Sequence, residues 1–289
     1  MGFEILTDSS ANLSEEMITR YQIKILPLSF FIDETEYLGY EEGKISDLAF
    51  YYEQMRQKKP MRTSLVNVEL ACRICEEILE RGKDLLYIGF SSGLSGTYQA
   101  VFNVLEELRE KYPKRKIFCV DSLSAALGEG LLVRYVIDLQ EQGKTIEEAY
   151  QWVLDNRLHL CHWFTVEDLF FLKRGGRINA AAAVAGTVLS IKPVLHLDDE
   201  GHLIVMEKVR GRKKSLDALI RHMEETALDL SDQYIFISHG DCLADAQYVA
   251  DAIEKKFHPK EIFIRILDPV IGTHSGPGTV ALFYLGTKR

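Results

Sequence analysis

A two-lobed α/β protein is the fold this sequence predicts, and three observations predict it. Short β-rich runs alternate with segments of helical period through the first half of the chain. Near residue 158 the texture changes, with longer β runs and a hairpin signal before alternation resumes. A length of 289 residues suits two moderate domains. The expectation is an N-terminal lobe over residues 1–157, built on a parallel doubly wound sheet, and a second α/β lobe over 158–289. No Pro- or Ser-rich linker separates them, so they should pack closely around a shared cleft, with a ligand at the lobe interface.

In order, FEILTD and IKILPLSFFI read as strands. NLSEEMITRY between them opens with Asn12 and, three residues on, Glu15, in the manner of a capping box. ISDLAFYYEQMRQKK predicts a helix N-capped by Ser46 and ended by Pro60, and the next helix runs from Asn67 to a Gly82 stop. DLLYIGF is a buried strand by its continuous apolar character, followed by a helix in LSGTYQAVFNVLEELREKY. KIFCVDS and LSAALGEGLLVRYVIDLQEQG repeat that unit, and TIEEAYQWVLDNR carries a capping box in Thr145 and Glu148. In the second half, KPVLHLDDEGHLIVMEKV is two β runs around Asp198, Asp199, Glu200 and Gly201. KKSLDALIRHMEETAL, QYIFIS, LADAQYVADAIEKKF and EIFIRIL restore the alternation, and IGTHSGPG reads as a glycine turn.

Composition excludes several classes. With 47% apolar and 27% charged residues the chain should fold, and a net charge of −9 argues against a surface that grips nucleic acid. No basic and then apolar leader is visible, nor any apolar run of the ~18 residues a spanning helix needs, so a cytoplasmic protein with no membrane span is expected. Five scattered cysteines do not suggest a disulfide framework. Cys72 and Cys75 form a lone CxxC inside a helical pattern, which reads as structural thiols. In LHLCHWFTV, His159 and Cys161 would share a strand face while His162 points away, a poor arrangement for a metal.

The stretch LYIGFSSGLSGTYQA admits three readings. Gly89, Phe90, Ser91, Ser92 and Gly93 spell G-x-S-x-G between strand and helix, which would make Ser91 a nucleophile followed in the required order by Asp268 and His274. Against a serine hydrolase, few strands precede this elbow and no HGGG-like oxyanion segment lies upstream. The second reading needs no covalent step. The unpaired N–H groups of a helix starting near Leu94 to Thr97, with the hydroxyls of Ser92, Ser95 and Thr97, make an anion site that Gly93 and Gly96 let a ligand approach. In the third, the serines only cap and the glycines only turn. Four further stretches weigh against independent caps: Thr7, Asp8, Ser9 and Ser10; Thr63 and Ser64; Asp121 and Ser122; and Thr273, His274 and Ser275. Open α/β sheets place ligands where such turns follow strands.

In order and spacing, TDSSANL, TSLVN, FSSGLSGTYQ, DSLSAALGEG, LKRGGRI and IGTHSGPG resemble the DegV family, over about residues 3 to 287. One departure is that Leu65, Val66 and Asn67 follow the Thr-Ser pair where the family often has proline and serine. The resemblance implies a carrier more than an enzyme. Such a carrier binds one long-chain fatty acid, with no cofactor, and presents it to a fatty acid kinase that makes an acyl-phosphate for phospholipid synthesis. By the same resemblance the carboxylate ligands are Thr63 and Ser95, with His274 as a neighbouring donor and Ser92, Gly96 and Thr97 supporting.

Physical chemistry agrees with that division of labour. Hydroxyls and helix N–H groups can bind a carboxylate without the grip of a Lys or Arg clamp. At about 0.8 kcal/mol per buried methylene a C16 tail offers roughly 11 to 12 kcal/mol before entropy costs, against about 1 kcal/mol per neutral hydrogen bond. The head should set orientation and the tail affinity. AAAAVAGTVLSI, small and apolar, is a candidate tail wall. On this acidic chain Lys173, Arg174 and Arg177 flank a Gly-Gly turn, and EKVRGRKK gathers Lys208, Arg210, Arg212, Lys213 and Lys214. Arg177 is expected to face phosphate on the acyl group, and Arg210 and Arg212 to dock an acidic partner such as the kinase. A monomer is expected, since such a site needs only the two lobes of one chain.

Overall fold

Parallel pairing begins with the first strand. In a computed structural model that describes residues 2–44, 46–178 and 190–289, β1 (Phe3–Asp8) lies between β2 (Lys24–Leu26) and β6 (Asp84–Gly89), with β7 (Ile117–Asp121) outside β6. All three pairings in this four-stranded sheet are parallel. Its strands are apolar nearly throughout because helices cover them: α1 (Glu15–Tyr21), α3 (Val68–Glu80), α4 (Thr97–Lys111), α5 (Leu127–Glu141) and α6 (Ile146–Asn156).

The expected IKILPLSFFI strand is divided at Pro27. Its second half is β3 (Ser29–Ile32), which leaves the parallel sheet and forms a small antiparallel one with β4 (Thr35–Leu38) and β5 (Met61–Ser64). The β3–β4 connection is a two-residue turn in which Asp33 adopts a left-handed φ of 52°, a conformation Asp tolerates. Thr63 therefore sits opposite Phe30 on an antiparallel strand, not at an edge of the parallel sheet.

Caps follow the sequence with two corrections. The N-cap of α1 is Ser14, whose hydroxyl accepts from the Met17 amide; Asn12 instead ends a 3-10 turn in the left-handed region at φ 56°. The helix α2 (Leu48–Arg56) is capped by Asp47, one residue beyond Ser46, because the carboxylate reaches the Phe50 amide. Asn67 caps α3, and Thr145 with Glu148 forms both bonds of the capping box of α6.

From β8 (Leu160–Thr165) onward the strands build a six-stranded mixed sheet in the order β10-β9-β8-β13-β11-β12. The hairpin comprises β9 (Ile191–Leu197) and β10 (Leu203–Arg210); then follow α8 (Arg212–Thr226), β11 (Tyr234–His239), α9 (Leu243–Phe257), β12 (Glu261–Ile266) and β13 (Val280–Leu285). Two short helices separate strands here, α7 (Phe170–Arg174) and α10 (Pro269–Ser275). Thr273, His274 and Ser275 thus lie on a helix rather than in a glycine turn, because Asp268 caps it and Pro269 occupies its first position.

The buried helix α5 joins the two sheets, packing on β6 of one and on β8, β11 and β13 of the other. One apolar cluster accordingly runs from Phe3 to Leu285 across both sheets. Asn12 adds a polar tie: its Nδ2 donates to the Ile266 carbonyl and its Oδ1 accepts from the Asp268 amide, each at 3.1 Å.

Candidate functional site: an apolar cavity with a hydroxyl and imidazole mouth

Between the sheets lies a cavity of about 350 Å³, walled mainly by apolar side chains such as Leu28, Phe90, Leu172, Leu197, Val270 and Phe283. Thr63, Ser64, Ser95, Gly96, Arg177 and His274 contribute polar atoms to its lining. No single element positions these groups. Thr63 comes from β5, Ser95 from the loop before α4, Arg177 from the chain after α7 and His274 from α10.

The central contact joins Thr63 Oγ1 to His274 Nε2 at 2.7 Å. His274 is half-buried, its Nδ1 has no hydrogen-bond partner among the described residues, and desolvation, aided by Arg177 and Arg174, pulls its pKa down to about 3. It is therefore a neutral imidazole at neutral pH, bonding by geometry and not by charge. The Gly-Gly turn after α7 closes on that ring: a Cβ on Gly175 would stand 2.2 Å from His274 Nδ1, so LKRGGRI and IGTHSGPG meet at one point.

Ser95 Oγ lies 3.0 Å from Thr97 Oγ1 and accepts from the Thr97 amide at 3.2 Å. It thus accepts the first N–H of α4, whose N-cap is Gly96, while bordering the cavity. Thr97 is fully buried behind it, and Gly96 is at the lining. Ser92 is exposed and outside the lining, its amide donating to Asp121 Oδ1. Arg177 donates to the Leu94 and Gly175 carbonyls, and burial lowers its pKa from the ordinary arginine value.

The residues of the hydrolase reading are each engaged elsewhere. Ser91 Oγ, fully buried, donates to the Gly201 carbonyl at the tip of the β9–β10 hairpin at 2.9 Å. Asp268 caps α10 and His274 pairs with Thr63, so no hydrogen bond links the three as a relay. Ser91 fastens the hairpin to the parallel sheet.

Other expected groups are also internally spent. The Thr7, Asp8 and Ser10 turn closes on Glu129 of α5, with Thr7 Oγ1 donating to Oε1 at 2.8 Å and Ser10 Oγ to Oε2 at 3.0 Å. Arg212 is paired with Asp245 at 2.8 Å, whereas Arg210 is exposed on the edge strand β10. Arg174 donates to the Thr273 and Lys59 carbonyls. The AAAAVAGTVLSI wall falls almost wholly on residues 179–189, outside the described residues. Among the described residues no group of three or more His, Cys, Asp or Glu is placed to hold a metal ion, and no helix is long and apolar enough to cross a membrane.

Sequence reasoning missed one cavity residue. His162, weighed above only as a metal ligand, shares a strand face with Phe164, and both line the cavity. The signal was available in the alternation of LCHWFT but had no use until the cavity existed.

A model of the family described as "Uncharacterised protein, DegV family" matches residues 2–287. A DegV domain-containing protein of Clostridium perfringens is 44% identical over 287 residues, covering 99% of this chain and 98% of that protein. One from Lactococcus lactis is 35% identical, covering 100% and 99%. Among solved structures, a DegV family protein of Thermus thermophilus described by its fatty acid binding superposes with a TM-score of 0.88 at 29% identity, covering 99% of this chain and 100% of that one. A DegV lipid-binding protein of Thermotoga maritima does so with a TM-score of 0.87 at 28% identity, covering both chains fully. With relatives this similar end to end, and five of the six motif segments contributing residues to one cavity, the chain belongs to the DegV family.

Proposed function

We propose that this protein binds one long-chain fatty acid, its tail in the cavity and its carboxylate at Thr63 and Ser95, with His274 holding the Thr63 hydroxyl. The observation that carries the reading is the Thr63–His274 pair at the border of a mainly apolar cavity of about 350 Å³. If His274 donates its Nε2 proton to Thr63 Oγ1, the Thr63 hydroxyl is free to donate to a carboxylate. Neutral donors orient the head, and apolar burial supplies affinity. Relatives described as fatty acid binding support the same ligand class. On this reading residues 1–157 and 158–289 are the two lobes that enclose the tail.

The finer proposal is that the bound acid is presented to a fatty acid kinase, giving an acyl-phosphate for phospholipid synthesis, with Arg177 beside the reacting head. The docking surface then rests on exposed Arg210 more than on Arg212, which Asp245 already neutralises.

Native mass spectrometry of protein purified from bacterial cells tests the first claim: a co-purified long-chain acid is expected, and a bare protein that also refuses added acid would overturn it. For the second, Arg210→Glu should weaken kinase-dependent phosphorylation and leave acid content unchanged. Equal loss of both would sink the docking claim.

A further inference from the structure

His162 gives the cavity a second polar point inside its apolar wall. It lies on β8 directly opposite Phe283 of β13, and its ring meets the Phe283 ring edge-on at 5.0 Å. Phe283 of β13 is four residues beyond Thr279, which directly precedes that strand and bonds the Ser275 and Gly276 carbonyls at the end of α10. At about 3.4 Å per residue that separates His162 from the α10 end by roughly 14 Å. The hydroxyls of Ser275 and Thr279 are consumed by backbone carbonyls, so they offer a ligand no free proton.

The His162 ring is held in place. Its Nε2 is hydrogen-bonded to Ser124 Oγ, and α5 approaches so closely that a Cβ on Gly128 would stand 2.2 Å from the His162 Cε1. No hydrogen bond of the described residues reaches Nδ1. If Nε2 donates to Ser124, Nδ1 is an acceptor; if Ser124 donates, Nδ1 carries the proton. A hydroxyl, at once donor and acceptor, complements either form. Burial holds the imidazole neutral, lowering its pKa well below the usual histidine value, so charge recognition is not on offer.

We infer that the cavity is built for an acyl chain bearing a hydroxyl along its tail, with His162 as the residue that reads it and Ser124 as the residue that orients His162. This rests on the fatty-acid reading and names its substrate class more narrowly. The reason for discrimination is that a plain methylene chain offers the Nδ1 of this cavity-lining ring no partner, whereas a hydroxyl does, and a polar group desolvated by a ligand that fails to pair it disfavours that ligand.

The test measures affinities of the full-length protein, stripped of lipid, for stearic acid and for a series of hydroxystearic acids with the hydroxyl moved along the tail. The wild type should bind at least one member about ten-fold more tightly than stearic acid. In His162→Phe the ratio of hydroxystearic to stearic acid affinity should fall to about one, whatever the change in stearic acid affinity itself, and His162→Leu, which is smaller, covers the case in which phenylalanine does not fit. A wild type that binds stearic acid and every hydroxy acid with the same ranking as both variants overturns this inference alone. A wild type that binds none of them overturns the fatty-acid reading, and this inference with it.

Discussion

Two clusters of hydroxyl and titratable groups in this molecule look alike in sequence and behave differently in space. At the end of β1, Thr7, Asp8 and Ser10 are fully buried and closed upon one another: Ser10 Oγ bonds both Asp8 and Glu129, while Tyr87 and the Phe90 amide hold the other Asp8 oxygen at 3.1 Å. At the cavity, Thr63, Ser95 and His274 keep unspent bonding capacity. The difference lies in what covers each turn. Helix α5 brings Glu129 down on the first, whereas the second borders empty volume. A hydroxyl-rich turn after a strand is thus a site only if tertiary packing leaves it unsatisfied.

A buried carboxyl beside the closed cluster, Asp268, which feels the charge of Asp8, should reveal itself through pH. Burial first, with a contribution from Asp8, raises Asp268 from 3.8 to about 7. Because its pKa is higher folded than unfolded, its favourable contribution is complete below about pH 4 and is lost as pH rises through about 7. Asp268→Asn, which retains a helix cap, should flatten thermal stability across that window, with a difference from wild type of up to about 4 kcal/mol above pH 7. Parallel pH curves for the two proteins would contradict this.

Next in size, Glu129→Ala strands the Thr7 and Ser10 hydroxyls and opens a void, and should cost about 3 kcal/mol in chemical denaturation. Burial pushes the Glu129 carboxyl well above its ordinary range, which favours the neutral acid, and Glu129→Gln should recover most of that loss. Neither substitution should alter the acid bound per folded molecule, which separates this cluster from the open one.

At the open cluster the effects reverse. Thr63→Ala leaves His274 Nε2 without its partner and should weaken fatty acid binding by about 2 kcal/mol, some thirty-fold, with little change in melting temperature. Titration calorimetry with the stripped protein reads this directly. Ser95→Ala should cost about 1 kcal/mol in both binding and stability, because the same oxygen accepts the first amide of α4. A variant of Thr63 that unfolds the protein without touching affinity would erase the distinction between the two clusters.

Much of this was legible beforehand, for physical reasons that differ by element. Continuous apolar runs such as DLLYIG announce buried parallel strands, and Thr145 with Glu148 announces a helix start, because both signals are local. The β3–β4–β5 sheet was not legible, since its closing strand lies about thirty residues from β3, its partner, and nothing local marks the pairing. Ser91 was misleading for the opposite reason. Its G-x-S-x-G setting is local, whereas the Gly201 carbonyl that takes up its proton is 110 residues away.

The sequence by itself determined the alternation of elements, the helix caps at Asn67 and Thr145, the family and the set of turns from which a site could be drawn. Only the tertiary structure decided which turns stayed open. It placed Thr63 beside His274 across 211 residues, gave Glu129 to the β1 turn, fastened Ser91 beneath a hairpin and set His162 in the cavity wall. Hydrogen-bond satisfaction of a buried polar group depends on partners far away in the chain, and such partners leave no local pattern for a sequence to display.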